Sequence, residues 1–226
     1  DTGGIVAAAT TSLPEQWGGV RNWDYRFVWL RDASSTLDAL LSRGFHSEAA
    51  TWRRWLLRAI AGDPGDIQTM YGLGGERDLT EMTVDSLPGY RGAAPVRKGN
   101  GAYTQYQGDV FGETMLALAK ARDVGVEEDE FSWPLQRAML NFVEKNWQRL
   151  DHGMWEMRGP QRAFTHSRAM LWAAMDCGVR AVRDHGLDGP VREWERLRDD
   201  IRDDIEQHGF DCERNSYTQY FGGSGV

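Results

Sequence analysis

The chain has 226 residues, 41% of them hydrophobic, and 26 Lys+Arg against 34 Asp+Glu give a formal net charge of −8. That acidic balance argues against a general nucleic-acid binder and against a polybasic membrane anchor, since both rest on clustered Lys and Arg. Two cysteines, Cys177 and Cys212, exclude a disulfide scaffold and a four-cysteine metal site, and no apolar run approaches the roughly 18 residues that cross a bilayer. A soluble, cytoplasmic protein without cofactor or metal is expected, of about one domain at roughly 100–200 residues per domain.

Residues 4–12 (GIVAAATTS) are small and β-branched and read as a strand or an extended segment. Six helical segments follow. The first runs from Asp32, read as an N-cap, to a stop at Gly44. The second starts at Ser47, with Trp52, Trp55, Leu56 and Ile60 at helical spacing. The third covers about 110–122, and the fourth is capped by Ser132, with Pro134 in its first turn and Met139, Phe142, Val143 and Trp147 on one face. The fifth begins near Thr165. The sixth, about 190–207, is strongly charged outside Val191, Trp194, Leu197, Ile201 and Ile205. Connections at Gly44-Phe45 and near 186–189 are short, whereas the loops 63–109 and 148–164 are long and rich in Gly and aromatics. This alternation predicts an all-α chain of helical hairpins, part of a toroid whose long loops gather at one end and build a site. All seven tyrosines fall outside the predicted helices, where aromatics more often line a ligand site than a core.

Three loop segments carry chemistry. Residues 22–32 (NWDYRFVWLRD) mix large aromatics with two Arg and two Asp. Sugar recognition needs that mixture, because apolar pyranose faces stack on rings while hydroxyls need charged donors and acceptors. The plainer reading is that Asp32 only caps a helix and Arg31 pairs with a nearby acid. In Gly153-Met154-Trp155-Glu156-Met157-Arg158, a carboxyl beside an indole should have a raised pKa and serve as a general acid, unless Arg158 lies close enough to lower it. The loop 99–109 (GNGAYTQYQGD) offers amides and phenols for hydroxyls, and Asp109 reads equally as the N-cap of the third helix. Other signals fail. Asp199-Asp200-Ile201-Arg202-Asp203 matches a magnesium-binding DDxxD pattern, but Arg196, Arg198 and Arg202 interleave with it as on a solvated helix face. The five histidines lack paired-ligand spacing, and no GxSxG, GxxxxGK or GxGxxG is present.

Taken together, residues 3–15, 22–32, 70–81, 87–113 and 153–172 resemble glycoside hydrolase family 15, the glucoamylase group with its bacterial trehalase-like members. The resemblance implies an (α/α)6 toroid, often behind an N-terminal β-sandwich, that cleaves terminal α-glucosidic bonds with inversion and has a small carbohydrate as its partner. It implies that Arg31 and Asp32 grip hydroxyls of the terminal glucose and that Tyr25 and Trp29 line that subsite. Tyr103 or Tyr106 stands at the loop aromatic, and Glu156, in the Trp155-Glu156 pair, is the general acid. The fungal enzymes place a second Glu after the acid, where this chain has Met157, so the subsite beyond the cleaved bond should differ. An inverting glycosidase also needs a second carboxylate about 6.5–9.5 Å from the first, and in this family it lies in the C-terminal half of the toroid. Residues 1–226 are therefore expected to be the N-terminal portion of a toroid catalytic domain, inactive alone and self-associating through its open edge. The alternatives are a non-catalytic sugar-binding remnant and a related toroid phosphorylase.

Overall fold

The computed structural model describes residues 2–60, 65, 67–126 and 130–225. Six α-helices supply most of its regular secondary structure: α1 (Leu30–Ser42), α2 (His46–Ala59), α3 (Asp109–Asp123), α4 (Ser132–Asn146), α5 (Thr165–His185) and α6 (Val191–His208). Three two-stranded antiparallel ribbons stand beside them: β1 (Val28–Trp29) with β2 (Met70–Tyr71), β3 (Met82–Thr83) with β4 (Arg97–Lys98), and β5 (Phe210–Asp211) with β6 (Ser216–Tyr217). The predicted all-α class holds. Residues 4–12 form no strand; they run extended beside 23–27, through Ala7 N–H to the Phe27 carbonyl (3.0 Å) and Ser12 N–H to the Trp23 carbonyl (2.8 Å).

In chain order the helices form the hairpins α1–α2, α3–α4 and α5–α6, with α4 resting on α5 more than on α3, and the odd-numbered ones pack side by side in the order α1, α3, α5. Each odd helix returns to the same end after its hairpin, so all three begin where the long loops lie. In the middle of this row, α3 is buried nearly all round. Val110, Ala117, Leu118 and Ala121 join one core with α1, α2 and Tyr71, while Phe111, Met115 and Ala119 join a second with α4, α5 and α6. The close α3–α5 approach requires Gly112, since a Cβ there would lie 2.1 Å from the Met170 carbonyl oxygen. Trp52, Trp55 and Trp194 are fully enclosed core residues. On α6 the predicted apolar positions Trp194, Leu197, Ile201 and Ile205 are the buried ones. Its acidic run is engaged in ion pairs, such as Arg202 with Asp199 (3.5 Å) and Arg168 with Asp204 (3.8 Å).

Two expected caps are not caps. Helix α1 starts two residues before Asp32, with Trp29 at its N-cap in extended conformation. The reason is β1, which delivers the chain straight into the helix and lets Leu30 N–H reach the Thr69 carbonyl at 3.0 Å, satisfying a free helix donor from outside. Asp32 sits instead in the first turn, where the helix dipole favours an anion. Ser132 is the first residue of α4 rather than its cap, and its hydroxyl is 3.1 Å from Gln136 Nε2. At the other ends the glycine signals held: Gly44 (φ +86°) and Gly186 (φ +68°) take the left-handed conformation that closes α1 and α5. No helix among the described residues is long and apolar enough to cross a membrane.

Candidate active site

At the loop end of the odd helices lies a cavity of about 690 Å³ whose lining includes Tyr25, Trp29, Arg31, Asp32, Trp155 and Glu156. Volumes of this order suit small-molecule sites. Two walls build it. One is the run from the extended segment through β1 into α1, which brings Tyr25, Trp29, Arg31 and Asp32 side by side. The other is the loop between α4 and α5, anchored by the buried Asp151. That carboxylate accepts from Gly108 N–H (2.8 Å) and Gly153 N–H (3.2 Å), tying the loop to the start of α3.

Glu156 closes this loop in a left-handed backbone conformation (φ +54°) that non-glycine residues rarely adopt. The turn is held by Glu156 N–H to the Gly153 carbonyl and Met157 N–H to the His152 carbonyl, both 3.0 Å. Gln105 clamps it from the α3 side by donating to the Glu156 carbonyl (3.3 Å). The result turns the Glu156 carboxylate inward, where the Trp29 indole N–H donates to Oε1 and Arg31 Nη2 lies 3.5 Å away. Burial pushes the Glu156 carboxyl above the usual range, against the downward pull of the Trp29 N–H and the Arg31 charge. The Trp155-Glu156 adjacency predicts that Trp155 causes this shift, but that side chain is 72% exposed at the cavity edge; the indole that touches Glu156 is Trp29. Nor does Arg158 neutralise Glu156, since it pairs with Glu81 at 2.6 Å.

Arg31 is the hub. Besides Glu156 it donates to Asp109 Oδ2 and Gln107 Oε1, each at 3.1 Å, and its Nε lies 4.0 Å from Asp32. Burial would weaken its charge, yet Asp109 and Glu156 hold the guanidinium firmly protonated. Asp109 therefore is not the cap of α3, whose N-cap is Gly108; it is a fully buried counter-charge to Arg31. Asp32, nearly half exposed, points its carboxylate into the open part of the site.

Tyr25 packs against Trp29 with ring centroids 6.2 Å apart, and burial raises its phenol pKa. The two candidate loop tyrosines part company. Tyr103 packs behind Trp29 in a small cluster with Met70, Leu79 and Ala102. Tyr106 turns away into the second core against Phe111 and Phe142, its phenol pushed up to about 12 mainly by burial. Sequence reasoning missed the Arg31 partners Gln107 and Asp109; the available signal was that a buried guanidinium requires an acid, and the 99–109 loop supplies one.

One helical turn beyond Asp109, Glu113 is pushed up to about 6 by burial and by Asp109 and Asp32, with Arg31 opposing and His166 Nε2 3.9 Å away. A carboxyl whose folded pKa exceeds its unfolded value of 4.5 favours folding while protonated, so stability should fall as pH rises from about 4.5 through about 6. Glu113→Gln should remove that loss. Urea titrations should show the variant gaining about 2 kcal/mol over the parent at pH 7 and little at pH 4; an equal change at both would remove Glu113 from the titration.

The model of the family described as "Glycosyl hydrolases family 15" matches residues 1–226. Among curated proteins, the chain is 36% identical over 225 residues to a trehalase of Thermoplasma volcanium, covering 100% of this chain and 36% of the relative. It is 38% identical over 227 residues to a trehalase of Mycobacterium tuberculosis, covering 98% of this chain and 33% of the relative. The chain thus spans about a third of the length of these relatives. Among solved structures, a glycosidase in complex with glucose matches with a TM-score of 0.70 at 15% identity, over 99% of this chain and 56% of that one. A glucoamylase from Saccharomycopsis fibuligera matches with a TM-score of 0.64 at 13% identity, over 97% of this chain and 46% of that one. At such identities the likeness speaks for the fold: the three hairpins are part of an (α/α)6 toroid of the glucoamylase type.

Proposed function

The chain belongs to glycosyl hydrolase family 15, and from that membership we propose that its loop-end cavity holds the terminal glucose of an α-glucoside while Glu156 protonates the departing oxygen. The observation that carries this reading is the placement of Glu156: an inward-turned, partly buried carboxyl of raised pKa, bonded by the Trp29 indole and 3.5 Å from Arg31. A carboxyl whose pKa is raised by burial holds its proton more readily than an exposed one, and in that form it can give the proton to a glycosidic oxygen. Arg31 and Asp32 offer a donor fork and an acceptor to neighbouring hydroxyls, and Tyr25 and Trp29 offer apolar faces to the ring. Tyr103 serves by backing Trp29.

In this reading a water attacks the anomeric carbon from the face opposite the leaving oxygen and gives its proton to a second carboxylate. That general base lies outside residues 1–226, which form the N-terminal portion of the toroid catalytic domain. The similarity to proteins named trehalase favours trehalose over maltodextrins. The test is proton NMR of the intact enzyme acting on trehalose without added phosphate. Trehalose has two α-linked glucoses, so inversion gives one β-glucose and one α-glucose at first, whereas retention gives only α-glucose. An obligatory phosphate requirement, or α-glucose alone, would sink the reading.

A further inference from the structure

Past Glu156 the cavity wall changes character. Arg158 follows two residues later on the same turn, and its guanidinium donates to Glu81 through Nη2–Oε2 (2.6 Å) and Nη1–Oε1 (3.2 Å). It also lies 4.3 Å from the centroid of the Trp23 ring. Arg97 reaches the same two groups, 4.5 Å from the Trp23 centroid and 3.4 Å from Glu81 Oε1. Glu81 further accepts Gly101 N–H at 2.9 Å, so one carboxylate fastens β4, the 99–104 turn and the Glu156 loop to each other. Arg158 holds Glu81 in the ionised form, with its carboxyl below the usual range.

Trp23 and Arg158 line the same cavity as Arg31, Asp32 and Glu156, whereas Glu81 and Arg97 hold them without lining it. Two guanidinium groups share one carboxylate, so Glu81 is not given over to Arg158 alone. Arg158 is half exposed, and a guanidinium carries five N–H donors in a planar fork, more than Glu81 consumes. Its backbone lies within about 7 Å of that of Glu156, since two residues span at most that length. A glycosidic oxygen at Glu156 then has one sugar toward Arg31 and Asp32 and the other within reach of Arg158 and Trp23.

We propose that Arg158, fixed by Glu81 and steadied on Trp23, binds hydroxyls of the departing sugar and so sets which leaving groups this enzyme accepts. Glu81 and Arg97 are positioning residues for it. The inference rests on the glycosidase reading above and deepens it.

The experiment compares trehalose with α-glucosyl fluoride, which presents the same glucose but no leaving sugar. In the intact enzyme Arg158→Ala should lower the trehalose-to-fluoride ratio of kcat/KM by about tenfold or more, as for a lost charged hydrogen bond. Arg158→Lys should recover part of the ratio, and Glu81→Gln should lower it less, chiefly through KM for trehalose. An unchanged ratio for Arg158→Ala would overturn the proposal, whether both rates fell together or neither moved. A second arm needs no turnover: calorimetry on the Glu156→Gln background should show Arg158→Ala weakening trehalose but not glucose. Equal weakening of both sugars, or of neither, would contradict the assignment. If the parent enzyme cleaved neither substrate, the glycosidase reading would fall, and the calorimetry would still decide the role of Arg158.

Discussion

Glu156→Gln in the intact enzyme should lower turnover of trehalose about a hundredfold or more, while costing much less on α-glucosyl fluoride. The amide keeps the size of the carboxyl and still accepts from the Trp29 indole N–H, so the turn at 153–157 should persist. What it loses is the proton. Fluoride leaves without protonation, so its cleavage depends on the rest of the site and not on the acid. The sign of the pH response follows from burial, which lifts the Glu156 carboxyl above the ordinary range. As a general acid it acts when protonated, so the rate on trehalose should fall as pH rises through that raised value. The variant should lose this limb of the profile. Equal losses on both substrates, with the limb intact, would remove Glu156 from the acid role.

Arg31→Ala should be the most damaging substitution for binding and stability together. It strands Asp109, which is fully buried and has Arg31 as its ion-pair partner at 3.1 Å. Breaking a buried pair from one side costs about 3–5 kcal/mol, because the remaining charge has neither water nor counter-ion. Denaturant titration should show that loss, and calorimetry should show glucose affinity falling about tenfold or more with the charged donor gone. Replacing Asp109 by Asn in the same background should return part of the stability without returning the affinity, which separates the two roles of Arg31. Unaltered stability and unaltered glucose binding in Arg31→Ala would place Arg31 outside the site.

The helices were legible in the sequence because their apolar positions repeat at helical spacing. Trp52, Trp55 and Leu56 on α2 and Trp194, Leu197 and Ile201 on α6 are all buried as the period requires. Local signals misled wherever a partner far along the chain decided the outcome. Asp32 and Asp109 both precede apolar helical runs and so look like caps. One is displaced by the strand pairing of Trp29 with Met70, and the other is claimed by an arginine 78 residues away. Chain adjacency makes Trp155 look like the group that desolvates Glu156, but the left-handed backbone at Glu156 leaves Trp155 exposed while the Glu156 carboxyl meets Trp29. Tyr103 and Tyr106 could not be told apart by spacing within one loop. Their separation depends on Tyr103 lying in the 3-10 turn beside Trp29 and Tyr106 being drawn into the α3–α4 core. Glu81 ends the 70–81 segment that carries the family resemblance, but nothing local gives it a role; that role exists because three loops converge on it.

The most direct measurement of the central claim is a crystal structure of the protein with bound glucose. Its hydroxyls should lie on Arg31 and Asp32, its ring against Tyr25 and Trp29, and its anomeric oxygen within hydrogen-bond distance of the Glu156 carboxyl. Glucose bound elsewhere on the surface, with this cavity left to solvent at saturating sugar, would contradict the account.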